Sequence, residues 1–224
     1  MINILYNIGV VVLLFISFSS FIIGLKYKRT HKELNHLFIY SISSFLQVLF
    51  IKSTKHLFSF PDKNAEHTAA KVSIYIFLVI EFSCIYLFFY KIRFYNKRIK
   101  KSLAFTFGFC LLSYIILAIK SNFFILHVDY IYYIQSLIIL VPCFLYLYQL
   151  FVQPPTLNLL NEASFWFFSG ILIYFILTLP LFFMIHYFQS KIMRVMVDII
   201  NLLGYNLIFS FLIRAYLCKP KTTI

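Results

Sequence analysis

The chain has 224 residues, of which 62% are hydrophobic and 12% charged, and its formal net charge at pH 7 is +13. This balance excludes a soluble globular domain and predicts a helical protein with nearly all of its mass in the bilayer. Because the basic residues cluster at the ends of apolar stretches, we assign them to topology and to contact with lipid headgroups, and we expect no nucleic-acid partner. The prediction is one all-α domain over residues 1–224, located in the cell (inner or plasma) membrane.

Seven apolar stretches are each close to the ~20 residues that cross a bilayer as a helix. Pro142 and Pro180 lie inside two of them and predict kinks. Asn161 stands before the sixth stretch and is expected to cap its helix. With only five glycines in the chain, helix packing through small residues must rely on serines such as Ser17, Ser20, Ser41 and Ser44. The predicted spans are about 4–25, 37–58, 72–90, 103–119, 128–151, 165–188 and 192–212.

The distribution of basic residues predicts the orientation of the seven-helix bundle. If the N-terminus lies outside, thirteen Lys and Arg residues fall on cytoplasmic segments and five on outer loops. Cytoplasmic loops carry the excess of positive charge in membrane proteins. We therefore predict an outside N-terminus and a cytoplasmic C-terminus.

Glu81 stands at the midpoint of the third stretch, VSIYIFLVIEFSCIYLFFY. A carboxylate at that depth is costly unless it is paired, protonated or in contact with water. We expect Glu81 to face the bundle interior and to be protonated or hydrogen-bonded there. The residues that share its helical face should also point inward: Ile74, Phe77, Leu78, Cys84, Ile85 and Phe88.

Further polar residues lie in the outer halves of other spans under the predicted orientation. Lys52 and Lys55 lie on the second span, and Gln135 lies on the fifth. Asp198, Asn201 and Tyr205 share a face of the seventh span. These residues and Glu81 are the candidate ligand-binding site, a cavity that opens outward. The alternative is that the two lysines extend to the headgroups, that Asp198 pairs with Arg194, and that the remaining groups form interhelical hydrogen bonds.

No motif in the chain predicts catalysis, a metal or a cofactor. Asp129 and Asp198 lie near the outer ends of their spans, and no histidine cluster lies near the midplane, so an intramembrane enzyme is the less favoured class. A retinal protein needs a lysine in its last span, and residues 192–217 contain none. The cysteines do not form a pair in an outer loop, so no disulfide framework is expected.

Three segments resemble small seven-helix membrane proteins of Bacteroidota: IEFSCIYLFFY, NEASFWFFSGILIYF and IINLLGYNLIFSFLIRAYLC. Such proteins look like the membrane half of a sensor kinase made as a separate chain, and the group has no established activity. The resemblance implies a receptor-like sensory or accessory module that acts through a membrane or cytoplasmic signalling partner. The alternative is a small-solute transporter, because length and topology also resemble the SWEET type, although no Pro-Gln motif occurs here.

The sensory hypothesis makes the polar residues a receiving site for a small polar or anionic ligand from outside. Lys52 and Lys55 would supply positive charge, and Asp198 would partly offset it. Binding would shift spans hinged at Pro142 or Pro180. We expect that shift to pass to a partner at the loop Gln153–Glu162 and at the basic run after Tyr90.

Overall fold

The computed structural model describes residues 2–27, 34–57, 63–91, 97–119, 128–154, 159–187 and 191–218. Some side chains within these ranges are not described, including those of residues 51–57 and 191–194. The described residues form seven α-helices, one short 3-10 turn at Leu159–Asn161, and no strand. The helices are α1 Ile2–Tyr27, α2 Leu37–Leu57, α3 Lys63–Lys91, α4 Lys97–Ile119, α5 Val128–Val152, α6 Ala163–Tyr187 and α7 Lys191–Tyr216.

Each predicted span coincides with one of these helices, and the all-helical fold class is confirmed. Within the described residues, five helices are long and apolar enough to cross a membrane, namely α1, α3, α5, α6 and α7. The apolar part of α2 is shorter, Leu37–Phe50. Two helices begin earlier than predicted, α3 at Lys63 and α4 at Lys97, because Lys, Arg, Ala and Glu favour helix and extend each one beyond its apolar stretch.

Six of the helices form a closed ring. α1 packs on α2, α2 on α3, α3 on α5, α5 on α6, α6 on α7, and α7 returns to α1. The α6–α7 interface is the most extensive, and α4 packs on α3 and α5 about as sparsely as α3 packs on α5. The Phe107 ring holds α4 to α3, with its centroid 4.5 Å from that of Phe82 and 4.9 Å from that of Tyr86.

Small side chains allow the helices of the ring to approach closely. The four serines expected at helix contacts are all buried, but the prediction that serines act there in place of glycine was wrong. Glycine has the same role between α6 and α7. A methyl group placed on Gly204 would lie 2.5 Å from a ring carbon of Tyr174, and one placed on Gly170 would lie 2.9 Å from the Cβ of Phe211. The α6–α7 contact therefore excludes any larger side chain at these two positions unless its neighbours shift.

One end of the bundle, which we call the basic end, collects the ends of α1, α3, α5 and α7 and the starts of α2, α4 and α6. Tyr216 at the end of α7 donates a hydrogen bond to the carbonyl of Leu34 just before α2, at 3.2 Å. Arg214 lies over the ring of Trp166 near the start of α6, 5.5 Å from its centroid. The Lys and Arg residues at this end whose side chains the structure describes are Lys26, Lys91, Lys100, Lys101 and Arg214.

Candidate functional site

Glu81 lies in the middle of the bundle, on the inward face of α3. Its side chain is 1% exposed. Of the six residues predicted to share its face, five are buried and Ile74 is half-buried. The prediction that this face points into the bundle is confirmed, and α3 therefore presents a carboxyl group to the helices around it.

Two side chains from other helices hold the Glu81 carboxyl group. The Tyr40 hydroxyl on α2 donates to Oε1 at 2.9 Å. The Gln135 amide nitrogen on α5 donates to Oε2 at 3.5 Å, a longer and weaker contact. Glu81 is thus hydrogen-bonded, as expected, and three helices converge on it. These two donors offset part of the cost of placing a carboxyl group away from water.

Tyr40 is part of this centre, although the sequence did not single it out. Its side chain is fully buried, and its ring centroid lies 6.0 Å from that of Phe77 and 5.1 Å from that of Phe209 on α7. A buried tyrosine needs a partner for its hydroxyl, and Glu81 supplies one. The chain has 17 tyrosines, and nothing in their spacing marks this one as the partner of a residue on another helix.

Aromatic contacts connect the centre to α6 and α7. The rings of Phe77 and Tyr205 are 6.0 Å apart, and those of Tyr205 and Tyr174 are 4.8 Å apart. The Tyr174 hydroxyl then donates to the Asn201 side-chain oxygen at 2.8 Å. Two further candidate residues, Tyr205 and Asn201, are therefore linked to Glu81 through aromatic rings and do not contact it directly.

Asp198, the one remaining candidate whose side chain the structure describes, does not join this centre. Asp198 is exposed, and its carboxylate interacts electrostatically with the Tyr6 phenol of α1. The side chains of Lys52 and Lys55 lie outside the described residues, as does that of Arg194. The structure thus brings Glu81 and Gln135 together, connects Tyr205 and Asn201 to them at a distance, and places Asp198 on the surface.

Polar side chains also have a structural role in this bundle, because a hydrogen bond joins every neighbouring pair of helices around the ring. Each such bond satisfies a polar group that would otherwise be buried in an apolar environment. Several of the candidate residues are members of this set. The bonds are Ser20–Ser41, Tyr40–Glu81, Gln135–Glu81, Tyr146–Ser164, Tyr174–Asn201 and the Asn206 amide to the Gly9 carbonyl.

A second buried glutamate, Glu162, was missed in the sequence. It is 3% exposed and directly precedes α6 at the basic end, where its Oε1 accepts a hydrogen bond from the Ser164 hydroxyl at 3.0 Å.

The prediction that Asn161 caps α6 was wrong. Asn161 is exposed in the preceding 3-10 turn, and the turn places Glu162 at the helix start. The sequence signal was present, since acidic side chains favour helix N-termini.

Cys84, Cys110, Cys143 and Cys218 are buried free thiols. Within the described part of the chain, no three His, Cys, Asp or Glu side chains come together in a way that could hold a metal ion. The chemistry of the centre is that of one carboxyl group, one phenol and one amide, with the buried Cys84 thiol close to Glu81. Such a set can hold a proton or form hydrogen bonds with a small polar guest.

Comparisons with protein-family models, with curated proteins and with solved structures found no match for this chain. What the protein does must therefore follow from the chemistry of its own site, because fold class alone does not determine function.

Proposed function

We propose that this chain is a seven-span membrane protein that works as a receptor-like sensory or accessory module centred on Glu81. The observation that carries the proposal is the position of this carboxyl group, buried where α2, α3 and α5 converge. Hydrogen bonds of serine or asparagine suffice to join helices elsewhere in the ring. An ionisable group inside a membrane is expensive and in general marks a functional site.

The contacts around Glu81 suggest how a local change would spread. A guest that competes for the Tyr40 hydroxyl would move a ring that also contacts Phe77 and Phe209. Phe77 in turn leads to Tyr205 and the α6–α7 pair. We infer that a small polar or anionic ligand from outside acts on this network and that the basic end passes the change to a membrane or cytoplasmic partner. Lys52, Lys55 and Asp198 remain candidates for the entrance to the site.

The orientation within the membrane belongs to the same proposal. In the sequence, thirteen Lys and Arg residues belong to the basic end and its adjoining segments against five on the opposite loops, and positive charge favours the cytoplasmic side. We place that end in the cytoplasm and the N-terminus outside. A reporter that is active only in the cytoplasm, fused after Ile224, should be active. An inactive but well-expressed fusion would reverse the orientation.

A ligand screen tests the sensory proposal. Purified protein in detergent is heated with a panel of small carboxylates, amines, amino acids and sugars, and unfolding is followed by the fluorescence of Trp166, the single tryptophan. We expect at least one compound to raise the melting temperature, because a ligand that binds only the folded state stabilises it. The Glu81→Gln variant should lose this response.

Glu162→Gln is the matched control, since it changes a second buried glutamate in the same way. It should respond to the compound as the unmodified protein does. The proposal fails if no compound stabilises the protein, or if Glu81→Gln responds normally.

Transport is the second candidate, because Pro142 and Pro180 lie within α5 and α6, where hinges of a transporter would be needed. Proteoliposomes that take up the stabilising compound would assign the site to a transporter. Binding without uptake would retain the sensory function.

A further inference from the structure

The carboxyl group of Glu81 is held by two side chains that can each serve both of its charge states. The Tyr40 hydroxyl lies 2.9 Å from Oε1 and can donate or accept a hydrogen bond. The Gln135 amide lies 3.5 Å from Oε2 and carries an oxygen as well as an NH2 group, and rotation about its last bond exchanges the two. A lysine or arginine partner can only donate and would hold Glu81 as a carboxylate. The centre can therefore be satisfied with or without a proton on Glu81.

The three helices that form the centre place no lysine or arginine next to Glu81 along their described lengths. On α3 the nearest lysines are Lys71 and Lys91, each ten residues and about 15 Å along the helix. Helix α5 contains no lysine, arginine or histidine. On α2 the backbone of Lys52 is twelve residues, about 18 Å, beyond Tyr40. A buried carboxylate without a cationic partner is costly, whereas the neutral acid is much less costly to bury.

The other neighbours of Glu81 are aromatic rings, thiols and phenols. Among the described residues, the ionisable groups that interact with it are the Tyr40 hydroxyl on α2 and the Cys84 thiol one turn along α3. Helix α7 contributes Phe209 behind Tyr40, and α4 contributes Phe107 against α3. None of these groups offers a positive charge. The further thiols and phenols that α4, α5, α6 and α7 turn toward the core are Cys110, Cys143, Tyr146, Tyr174, Tyr205 and Tyr216.

Groups that carry exchangeable protons link Glu81 to the basic end. The Cys84 thiol interacts electrostatically with both Glu81 and the Tyr216 hydroxyl. The Tyr216 hydroxyl in turn donates to the Leu34 carbonyl at 3.2 Å. His36, two residues after Leu34, is half-buried at the basic end. A thiol and a hydroxyl therefore connect the buried carboxyl group to a titratable side chain at one end of the bundle.

We infer that Glu81 is a proton-binding site that exchanges its proton with the basic end past Cys84 and Tyr216. The proton comes from water at that end and forms an O–H bond at Oε2, where the rotated Gln135 amide accepts its hydrogen bond. Tyr40 continues to donate to Oε1, the shorter of the two contacts. On release the carboxylate forms again and the proton returns to water. As a regulator of a receptor, this proton rests on the proposed function, whereas its presence on Glu81 does not.

Infrared spectroscopy detects the proton directly, because the carbonyl band of a neutral carboxyl group is separate from the bands of a carboxylate. Spectra of the full chain in phosphatidylcholine vesicles are recorded over the pH range in which circular dichroism shows that it is folded. Subtracting the spectra of Glu81→Gln isolates the band of this one carboxyl group. We expect a neutral-carboxyl band at neutral pH that loses its intensity reversibly as the pH rises. Glu162→Gln, the matched control, should keep the band.

Deuterium exchange tests the route. On transfer into heavy water the band shifts as the carboxyl proton is replaced by deuterium, and the rate of that shift measures access to Glu81. Tyr216→Phe and Cys84→Ala each remove a group with an exchangeable proton and should slow the shift several-fold. Tyr174→Phe is the matched control, since it removes a fully buried hydroxyl that donates to Asn201 away from the route. It should exchange at the rate of the unmodified protein.

Two results would overturn the proton site, namely a difference spectrum without a neutral-carboxyl band at neutral pH and a band whose intensity does not respond to pH. Normal exchange in both Tyr216→Phe and Cys84→Ala, or equal slowing in Tyr174→Phe, would overturn the route. If Glu81→Gln does not fold, Glu81→Asp takes its place and should shift the band instead of removing it. These measurements use no compound from the ligand screen, so a failed screen would reject the receptor function and leave the proton site standing.

Discussion

Two glutamates are buried among the described residues, and they are buried in different ways. Glu162 at the basic end accepts a hydrogen bond from Ser164, two residues further along the chain. Glu81 in the middle of α3 accepts hydrogen bonds from Tyr40 and Gln135, which are 41 and 54 residues away in sequence. The first is a local arrangement at a helix start, and the second forms only when three helices are assembled. The hydrogen bonds of Glu81 therefore depend on tertiary structure, whereas that of Glu162 depends mainly on local structure.

The largest expected effect comes from removing the Tyr40 ring. Tyr40→Ala loses the donor to Glu81 and the contacts with Phe77 and Phe209, and large-to-small changes of a buried aromatic cost about 3–5 kcal/mol. Titration with a denaturing detergent, followed by Trp166 fluorescence and circular dichroism, measures the free energy of unfolding. Tyr148→Ala on α5, where the side chain is 68% exposed, is the control and should change stability by less than about 0.5 kcal/mol. Similar losses in both variants would mean that Tyr40 does not organise the centre.

Replacing Glu81 itself should have the next largest effect. Glu81→Leu removes the acceptor used by the Tyr40 hydroxyl and the Gln135 amide, and loss of a buried partner costs about 1–3 kcal/mol. Adding Tyr40→Phe and Gln135→Leu should recover much of that loss, because apolar groups then replace all three members. The same unfolding titration applies. A triple variant less stable than Glu81→Leu would contradict the three-residue centre.

A smaller effect is expected at the other glutamate. Ser164→Ala removes the donor to Glu162 and the contact with the Tyr146 hydroxyl, which lies 2.9 Å from the serine oxygen. We expect a loss of about 0.5–1.5 kcal/mol, typical of a single net hydrogen bond. A loss in Ser164→Ala that exceeds that in Glu81→Leu would remove the distinction between the local and the assembled carboxyl site.

The smallest effect is a pH dependence at the basic end. Burial, and then the positive charge of Lys91, lower the pKa of His36 below its ordinary value. The unfolded chain therefore binds more protons than the folded protein as the pH falls below about 6.5, so the free energy of unfolding decreases there. His36→Gln should flatten this slope, and Lys91→Gln should reduce it. A slope unchanged in His36→Gln would show that another group causes it.

Much of this fold follows from the sequence because a helix in lipid satisfies the hydrogen bonds of its own backbone groups. A stretch of about 20 apolar residues can cross a bilayer only as a helix or as part of a closed barrel. All seven apolar stretches are accordingly helical. The inward face of α3 followed from the same periodicity, since Glu81 and its neighbours share one side of a 3.6-residue repeat.

The sequence did not predict the surroundings of residues whose contacts lie on other helices. Asp198, Asn201 and Tyr205 share a helical face, yet Asp198 is exposed while Asn201 accepts a hydrogen bond from Tyr174. Asn206 was not singled out, although it is buried and its amide reaches the Gly9 carbonyl on α1 at 3.4 Å. The face that a residue occupies on its own helix does not determine what lies opposite that face.

The sequence by itself thus determined the approximate bounds of the described helices and the burial of Glu81, because hydrophobic periodicity is a property of each segment alone. Only the tertiary structure decided that Tyr40 and Gln135 meet Glu81, and that α4 packs outside the ring beside α3 and α5. Those outcomes depend on which helices become neighbours and how closely their side chains allow them to approach. Gly204 illustrates the point: a single missing methyl group is what allows Tyr174 to reach the α7 backbone.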